Sequence, residues 1–550
     1  MLLKLLRDLL RGGDRAPAPS AEALFQLGSR LGGEGRSQEA QEALSQACEQ
    51  EPRNAGYRIA HARACIAAGH PADAIKALDA ARELRPDLPE VEAMLVKPLL
   101  DTCDWSRVAQ ATQRIVQRAA ERPAEEWTRA LDPWTSLLLD LPEALRREVA
   151  LQHARRIAQR AATLPRPAIA PAQQRSRIRI GYLSSDFREH ATAHLAAGLF
   201  EQHDRARFEV HAYSTGRDDG SAMRRRLVAA FDRFDDLPGT DSAAVARHIA
   251  ADAPDILVDM KGYTNDDRME VLAVRPAAVQ VHFLGYPGSL HAPFIDYLVA
   301  DRVVAPDAGV FGEALARLPG CYLAQDDRQP VAARIPSRAE CGLPAEGFVF
   351  CSFNQSFKFA PDVAATWMRL LAAVPGSVLW LLDTNDAAKA VLRTLAEREG
   401  LSPARLVFAP WIAKPEHLAR TRLADLFLDT HTCNAHTTAS DALAADVPVL
   451  TWPSPQFAGR VAESLVRAAG LDELVAGSLA DYEARALACA RDPQRLHSIR
   501  ERLAQARRTR PPFVTRDYAR ALESAYERML ERRLAGNAPE TFDVPGNWSG

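Results

Sequence analysis

Short runs of β-branched and aromatic residues alternate with helix-like stretches along most of this chain, in two separate series. The first series reads RIRIGYLSS, FEVHAYS, ILVDM, VQVHFLGY and IDYLVAD, with helical stretches at 193–202 and 221–231 between its earlier members. The second reads FVFCSF, SVLWLLD, RLVFAP, ADLFLDT and VPVLTW, alternating with helices at about 361–373, 387–398, 415–422 and 461–469. Apolar strands separated by helices argue for parallel sheets covered on both faces. Two such doubly wound units in tandem leave a cleft between their sheet ends, where ligands of this architecture bind.

A different pattern precedes them. From Ala21 the chain shows Leu24, Leu27, Gly28, Leu31, Ala40, Leu44, Ala47 and Pro52; thirty-four residues later it shows Ala62, Cys65, Gly69, Ala74, Leu78, Ala81 and Pro86. Small residues at the eighth and twentieth places let two helices approach, and the proline ends the unit. In period and pattern this resembles the tetratricopeptide repeat. A third unit from Pro89 is degraded, with Pro98 and Trp105 off pattern, and helical segments continue to about Leu164. The expected organisation is an N-terminal amphipathic segment (1–20), helical repeats (21–165), a proline-rich linker (166–177), a first Rossmann-like unit (178–332), a bridge (333–346), a second Rossmann-like unit (347–512), and a closing helix with a loose tail from Gly536 (513–550). The fold class is therefore all-α repeats followed by α/β.

Composition narrows the function classes. A net charge of −3 gives no bulk reason to expect nucleic-acid binding. The opening MLLKLLRDLLRGG is interrupted by Lys4, Arg7, Asp8 and Arg11, so it holds no apolar run long enough for a signal or a span. Its Leu2, Leu5, Leu6 and Leu9 share one helical face, suited to docking on the protein itself. Eight scattered cysteines with no C-x-x-C pair fit free thiols in a reducing compartment. A cytoplasmic protein without integral membrane association is expected. The tail's Asn547-Trp548-Ser549 fits a glycosylation sequon, which carries little weight without a secretory signal.

Five polar clusters fall at strand ends or helix starts. CNAHTTASDAL, from Cys433, lies between two strand-like runs, and His436, Thr437 and Thr438 stand where a helix begins. Free amides and the helix dipole there suit a phosphate or diphosphate; the alternative makes Thr438 an N-cap with Asp441 completing a capping-box-like pair. SSDFREHATAH carries His190 and His194 at a spacing that would share one helical face. No third ligand is near, so no metal is expected, and His190 reads as a polar or basic group at the cleft edge. In FLGYPGSL, Gly285 and Gly288 around Tyr286-Pro287 allow close approach of a ligand, or form a plain turn. FNQSFKF places Gln355 and Lys358 ahead of a helix, where a lysine can neutralise a leaving diphosphate. In IAKPEHLAR, Lys414, His417 and Arg420 recur three apart as a cationic helix face. Neither a Walker loop nor a dinucleotide fingerprint stands at the strand ends.

Together, GYLSSDFREHATAHL, ILVDMKGYT, FLGYPGS, FNQSFKF, SVLWLLD, HLARTRLADLFLDTHTCNAHTTASDAL and VPVLTWP resemble glycosyltransferase family 41, the O-linked N-acetylglucosamine transferases, in a bacterial-like form with few repeats. The resemblance runs from about Ile178 to the C-terminus. It implies a GT-B fold and inverting, metal-independent transfer from a UDP-sugar, usually UDP-N-acetylglucosamine, to Ser or Thr of protein acceptors lying along the repeat groove. No cofactor is implied. By motif, Gln355 and Lys358 would meet the nucleotide and diphosphate; Ile412, Ala413 and Lys414 would line the uracil, with His417 and Arg420 following on the same helix. His436, Thr437 and Thr438 would cradle the phosphates, and Asp441 would take the ribose hydroxyls. His190 matches the histidine proposed as base, and the loop of Gly285 and Pro287 would lie by the sugar. Animal members of the family carry Tyr where this chain has Phe357, and a long insert where it has only a short bridge near Arg334. Two other readings stay open: a UDP-glucose-dependent protein glycosyltransferase, and a repeat scaffold whose transferase half is inactive.

Overall fold

The computed structural model describes residues 19–168, 175–510 and 513–546. The leucine face of the first segment, residues 169–174 of the linker and the Asn547 sequon lie outside the described residues. Among those described, no helix is long and apolar enough to cross a membrane, and all eight cysteines are free thiols.

Three antiparallel helix pairs come first: Ala21–Gly33 with Ser37–Gln50, Ala55–Ala67 with Pro71–Leu84, and Pro89–Asp101 with Trp105–Glu121. Ser20, Asn54 and Asp104 supply side-chain oxygens that cap open amides at three helix starts. The small residue at the eighth place has a direct reason. A Cβ at Gly28 would lie 2.5 Å from Leu44 Cγ of the paired helix. The third pair, degraded in sequence, keeps the period; buried Val96 stands at its eighth place. Pro98, on the penultimate turn of its helix, is accommodated, and Thr102 bonds back to its carbonyl through both N–H and Oγ1. The long helix Glu143–Ala161 then leads onto the α/β part and packs on the short helix Met269–Ala273.

The first unit contains β1 (Ile178–Ser184), β2 (Phe208–Ser214), β3 (Arg233–Asp236), β4 (Ile256–Asp259), β5 (Val279–His282), β6 (Tyr297–Ala300) and β7 (Ala314–Arg317). The second contains β8 (Val349–Ser352), β9 (Val378–Leu382), β10 (Leu406–Ala409), β11 (Leu426–Leu428) and β12 (Val449–Leu450). The last strand among the described residues is β13 (Phe542–Asp543). The sheet orders are β13-β7-β6-β5-β4-β1-β2-β3 and β10-β9-β8-β11-β12, with every pairing parallel. In each sheet the unit's first strand sits inside and the winding reverses beside it, at β1/β4 and at β8/β11. Loops leaving the two strands there turn to opposite faces and open a crevice. The protein is thus a helical repeat module followed by two Rossmann-like units.

The closing helix Thr515–Leu534 does not stay with the second unit. It returns to the first and packs on the helix Ala191–Gln202. At its buried centre, Glu523 Oε1 accepts from His203 Nδ1 at 3.0 Å, and Tyr182 Oη lies 2.9 Å from His203 Nε2 and 3.2 Å from Tyr526 Oη. The tail expected to be loose beyond Gly536 instead adds β13 beside β7. Phe542, buried, meets the Tyr297 ring edge-on with centroids 6.0 Å apart. Two alternating apolar residues, Phe542 and Val544, are too short a signal to read as a strand, yet they suffice where a sheet edge is waiting.

Leu522, on the buried face of the closing helix, is inaccessible to solvent. Leu522→Ala is expected to destabilise the protein by about 2–5 kcal/mol, the range for a buried leucine truncation, as read from the midpoint and slope of urea unfolding.

Candidate active site at the cleft between the sheets

The loop after β8 carries Phe353, Asn354 and Gln355 into a single turn, Ser356–Lys358. The loop after β11 carries residues 429–436 into the helix Thr437–Ala444. These loops face each other across the switch point. Lys358 spans the gap, its Nζ donating to the Asn434 carbonyl at 2.7 Å. Thr438 Oγ1 donates to Asn354 Oδ1 at 2.6 Å, and Asn354 Nδ2 donates to Thr430 Oγ1 at 3.3 Å.

The shape of the second loop rests on Asp429, which motif reading missed. Its buried carboxylate accepts from the Thr430 and Ala435 amides and from Thr451 Oγ1, each at 2.7 Å. Burial nevertheless pushes its carboxyl up to about 6, because these bonds offset desolvation only in part. A lone Asp at the end of an apolar strand carries no period and no spacing, so no sequence signal distinguishes it.

His436 occupies the N-cap position without a side-chain cap bond. Its Nε2 donates to the Ala458 carbonyl at 2.9 Å, leaving Nδ1 with a lone pair. Burial first, and then the Lys358 cation, hold its pKa down to about 3. The ring is neutral, and no side chain caps the helix's first amides, which leaves them available to an anion. The capping-box reading of Thr438 and Asp441 is overturned. Thr438 turns to Asn354, and Asp441 forms a buried ion pair with Lys414.

That pair also corrects the expected cationic face. Lys414 is neutralised by Asp441, and burial drives His417 down to about 4, so it is uncharged. Arg420 is buried, donates from Nε to His417 Nδ1 at 3.2 Å and lies over the Phe353 and Trp380 rings. Ile412 and Ala413 are exposed on the loop after β10, beside Trp411, which is 67% exposed and was not singled out from the motifs. Gln355 is half-buried at the start of the lysine turn.

On the opposite wall His190 caps the helix Ala191–Gln202, its Nδ1 accepting from the Thr192 amide at 3.2 Å. Asp186 Oδ2 lies 3.4 Å from the same nitrogen and is held by Lys261 Nζ at 2.7 Å. Burial lowers the His190 pKa despite Asp186. A neutral ring accepting at Nδ1 carries its proton on Nε2. His194 points elsewhere, its Nε2 2.5 Å from Glu189, so the His190/His194 spacing does not bring two ring nitrogens to one point.

Gly285 has a structural reason. A Cβ there would meet the Met260 carbonyl oxygen at 2.1 Å, so the close approach read from the motif is made by the chain's own backbone. Pro287 and Tyr286 are buried. Beneath them His282 donates to Asp259 Oδ2 and to the Tyr286 carbonyl, both at 2.9 Å. These acceptors outweigh burial and raise its pKa, and the two bonds pin the loop.

The clusters converge. The helix capped by His190 packs on Thr437–Ala444, Ser440 Oγ donates to Gln325 Oε1 of the first unit, and Tyr286, Cys433, Ala458 and Phe357 share one apolar cluster. The chain that builds this cleft matches the model of Glycosyl transferase family 41 over residues 102–333 and 323–522. The chain belongs to glycosyl transferase family 41. Residues 33–97 match the tetratricopeptide repeat. The chain is 38% identical over 379 residues to the probable UDP-N-acetylglucosamine–peptide N-acetylglucosaminyltransferase SEC of Arabidopsis thaliana, covering 68% of this chain and 39% of that one. It is 28% identical over 555 residues to the Caenorhabditis elegans UDP-N-acetylglucosamine–peptide N-acetylglucosaminyltransferase, covering 79% and 48%. The chain thus spans less than half the length of these two relatives. The solved structure of a mutant O-GlcNAc transferase from Thermobaculum terrenum matches with a TM-score of 0.73 at 29% identity, covering 94% of this chain and 92% of that one. The two Rossmann-like units therefore form a GT-B fold.

The neutral histidines of this family 41 cleft set a pH dependence. His417 and His436 have folded values of about 4 and about 3, against about 6.5 unfolded. As pH falls below about 6.5 the unfolded chain takes up these protons first, so the stability these two histidines contribute is full above that pH and declines toward pH 4, while Asp429, raised to about 6, offsets part of the decline. Urea unfolding between pH 7 and pH 4 is expected to show this decline, and His417→Gln to make it shallower.

Proposed function

We propose that this chain transfers N-acetylglucosamine from UDP-N-acetylglucosamine to Ser or Thr hydroxyls of protein acceptors, with inversion at the sugar and without a catalytic metal. The observation that carries the reading is the cation of Lys358 set beside the open amides of the helix Thr437–Ala444. That arrangement stabilises charge on a departing diphosphate. His436, Thr437 and Thr438 contribute the rest of the phosphate cradle, and Gln355 contacts the nucleotide. Ile412, Ala413 and Lys414 line the uracil, with His417 and Arg420 supporting Lys414 from the same helix. Asp441 accepts from the ribose hydroxyls while Lys414 balances its charge. The loop of Gly285 and Pro287 lies by the sugar, and acceptors reach it along the repeat groove. Eight free thiols suit a cytoplasmic setting.

In the reaction the acceptor oxygen bonds to the anomeric carbon from the face opposite UDP. The bond from that carbon to the phosphate oxygen breaks, and UDP leaves with the electron pair. The acceptor's proton passes to a phosphate oxygen. His190 works differently from a base. With Nδ1 occupied by the Thr192 amide, its Nε2–H donates and orients the reactants. The inactive-scaffold reading is disfavoured because Lys358, His436, Thr437, Thr438 and Asp441 all stand at the motif positions of the cleft.

UDP release from UDP-N-acetylglucosamine, with and without a Ser/Thr-rich peptide mixture, tests this. Peptide-stimulated release is expected. Lys358→Ala should raise the barrier by at least about 2 kcal/mol, as for a lost oxyanion donor, and by more than His190→Ala does. Wild-type rates from Lys358→Ala would sink the assignment, and preference for UDP-glucose over UDP-N-acetylglucosamine would change the donor.

A further inference from the structure

The turn that carries Lys358 is gripped from behind by the repeat module. Ser356 Oγ donates to the Asp101 carbonyl at 2.7 Å, and Asn385 Nδ2 donates to the same oxygen at 2.8 Å. Trp105 Nε1 donates to the Phe359 carbonyl at 2.8 Å. Lys97, tied to Asp101 at 2.6 Å, lies over the Phe357 ring at 4.2 Å. All these contacts come from one place, the end of the helix Pro89–Asp101 and the start of the helix Trp105–Glu121. Between them Cys103 holds a left-handed φ of 57°, a conformation that a non-glycine residue keeps only where its surroundings impose it. Cys103 is buried with its Sγ 3.9 Å from the Ser356 carbonyl.

The pattern of contacts is selective. Ser356, Phe357 and Phe359 are each held from the repeat side, while Lys358, between them, faces the other way and reaches Asn434. A turn of three residues has too few internal bonds to hold a lysine by itself. Its orientation is therefore set by what fixes its neighbours.

We propose that Trp105 and the Asp101 carbonyl are positioning residues for Lys358, so that the last helix pair of the repeat module sets the geometry of the diphosphate site. This rests on the reading of Lys358 as the diphosphate-binding cation. Trp105 touches neither donor nor acceptor; it acts by fixing the Phe359 carbonyl. The same helix pair ends the groove along which acceptors are proposed to lie, so the two binding surfaces share one rigid element.

The test is a double-mutant cycle on the full chain, with UDP affinity measured by titration calorimetry. Trp105→Phe keeps the ring volume near but removes the donor. It is expected to weaken UDP binding about three- to tenfold, the range of one neutral hydrogen bond. In the Lys358→Ala background the same change should have no further effect, because the residue it positions is gone. Equal factors in both backgrounds, or no change in the wild-type background, would overturn the proposal, since a merely structural role moves the melting temperature without this non-additivity. Should Trp105→Phe fail to fold, Ser356→Ala runs the same cycle through the Asp101 carbonyl. Absence of UDP binding by the wild-type protein would remove the diphosphate reading itself and this inference with it, a result distinct from additivity between two variants that both bind.

Discussion

The bond from the Lys358 ammonium to the Asn434 carbonyl closes a gap that the topology itself opens. Winding β8-β9-β10 one way and β11-β12 the other sends the two adjacent loops to opposite faces. Something must bridge them if the site is to have one shape. The backbone cannot, because every strand pairing here is parallel and the connections run away over the helices. Side chains do it: Lys358 and Asn354 reach Asn434 and Thr430 from the β8 loop, and Thr438 reaches back to Asn354 from the β11 helix. A bridging cation next to a helix start places positive charge before any ligand arrives, which is the arrangement the proposed diphosphate site calls on.

Much of this was legible in the sequence because the signals are periodic. The repeat helices follow a thirty-four-residue spacing, and all ten strand-like runs became strands. What stayed hidden lacked periodicity or depended on partners distant in sequence. β3 reads RFDD, polar and part-exposed at a sheet edge, and β7 reads ALAR; neither alternates over enough residues to register. β13 exists because β7 offers an unpaired edge, a fact about the fold and not about residues 542–543. In the cleft the motif residues were found, but their ionisation was not. Lys414, His417 and Arg420 look like three charges when read as a helix face. Asp441, twenty-seven residues away, neutralises one, and burial removes another.

The two halves of the cleft are joined by more than the bridge between them. Asp301, fully buried in the first unit, accepts from Ser464 Oγ of the second at 2.6 Å and from the Tyr322 amide at 2.8 Å. Phe457 packs edge-on to Tyr322 with centroids 4.9 Å apart. The closing helix starts at the same seam, where Thr515 Oγ1 donates to the Gln325 carbonyl at 2.8 Å, while Gln325 itself accepts from Ser440. A buried carboxylate satisfied from both units resists separation, since opening would strand it without partners.

At His190 one hydrogen bond decides the tautomer. Two groups compete for its Nδ1. Asp186, 3.4 Å away, favours a proton there, which would free Nε2 to accept one from an attacking hydroxyl. The Thr192 amide, at 3.2 Å, can only donate. Asp186 is already engaged by Lys261 at 2.7 Å, which satisfies its charge and weakens its claim on the imidazole. The amide belongs to the first turn of a helix and would lose its partner if the ring turned over, leaving a helix start uncapped. Both considerations favour the tautomer with Nε2–H. For the diphosphate proposed to bind in this cleft, a donor at that position is also the electrostatically consistent choice, because it adds to the positive potential of Lys358 instead of opposing it.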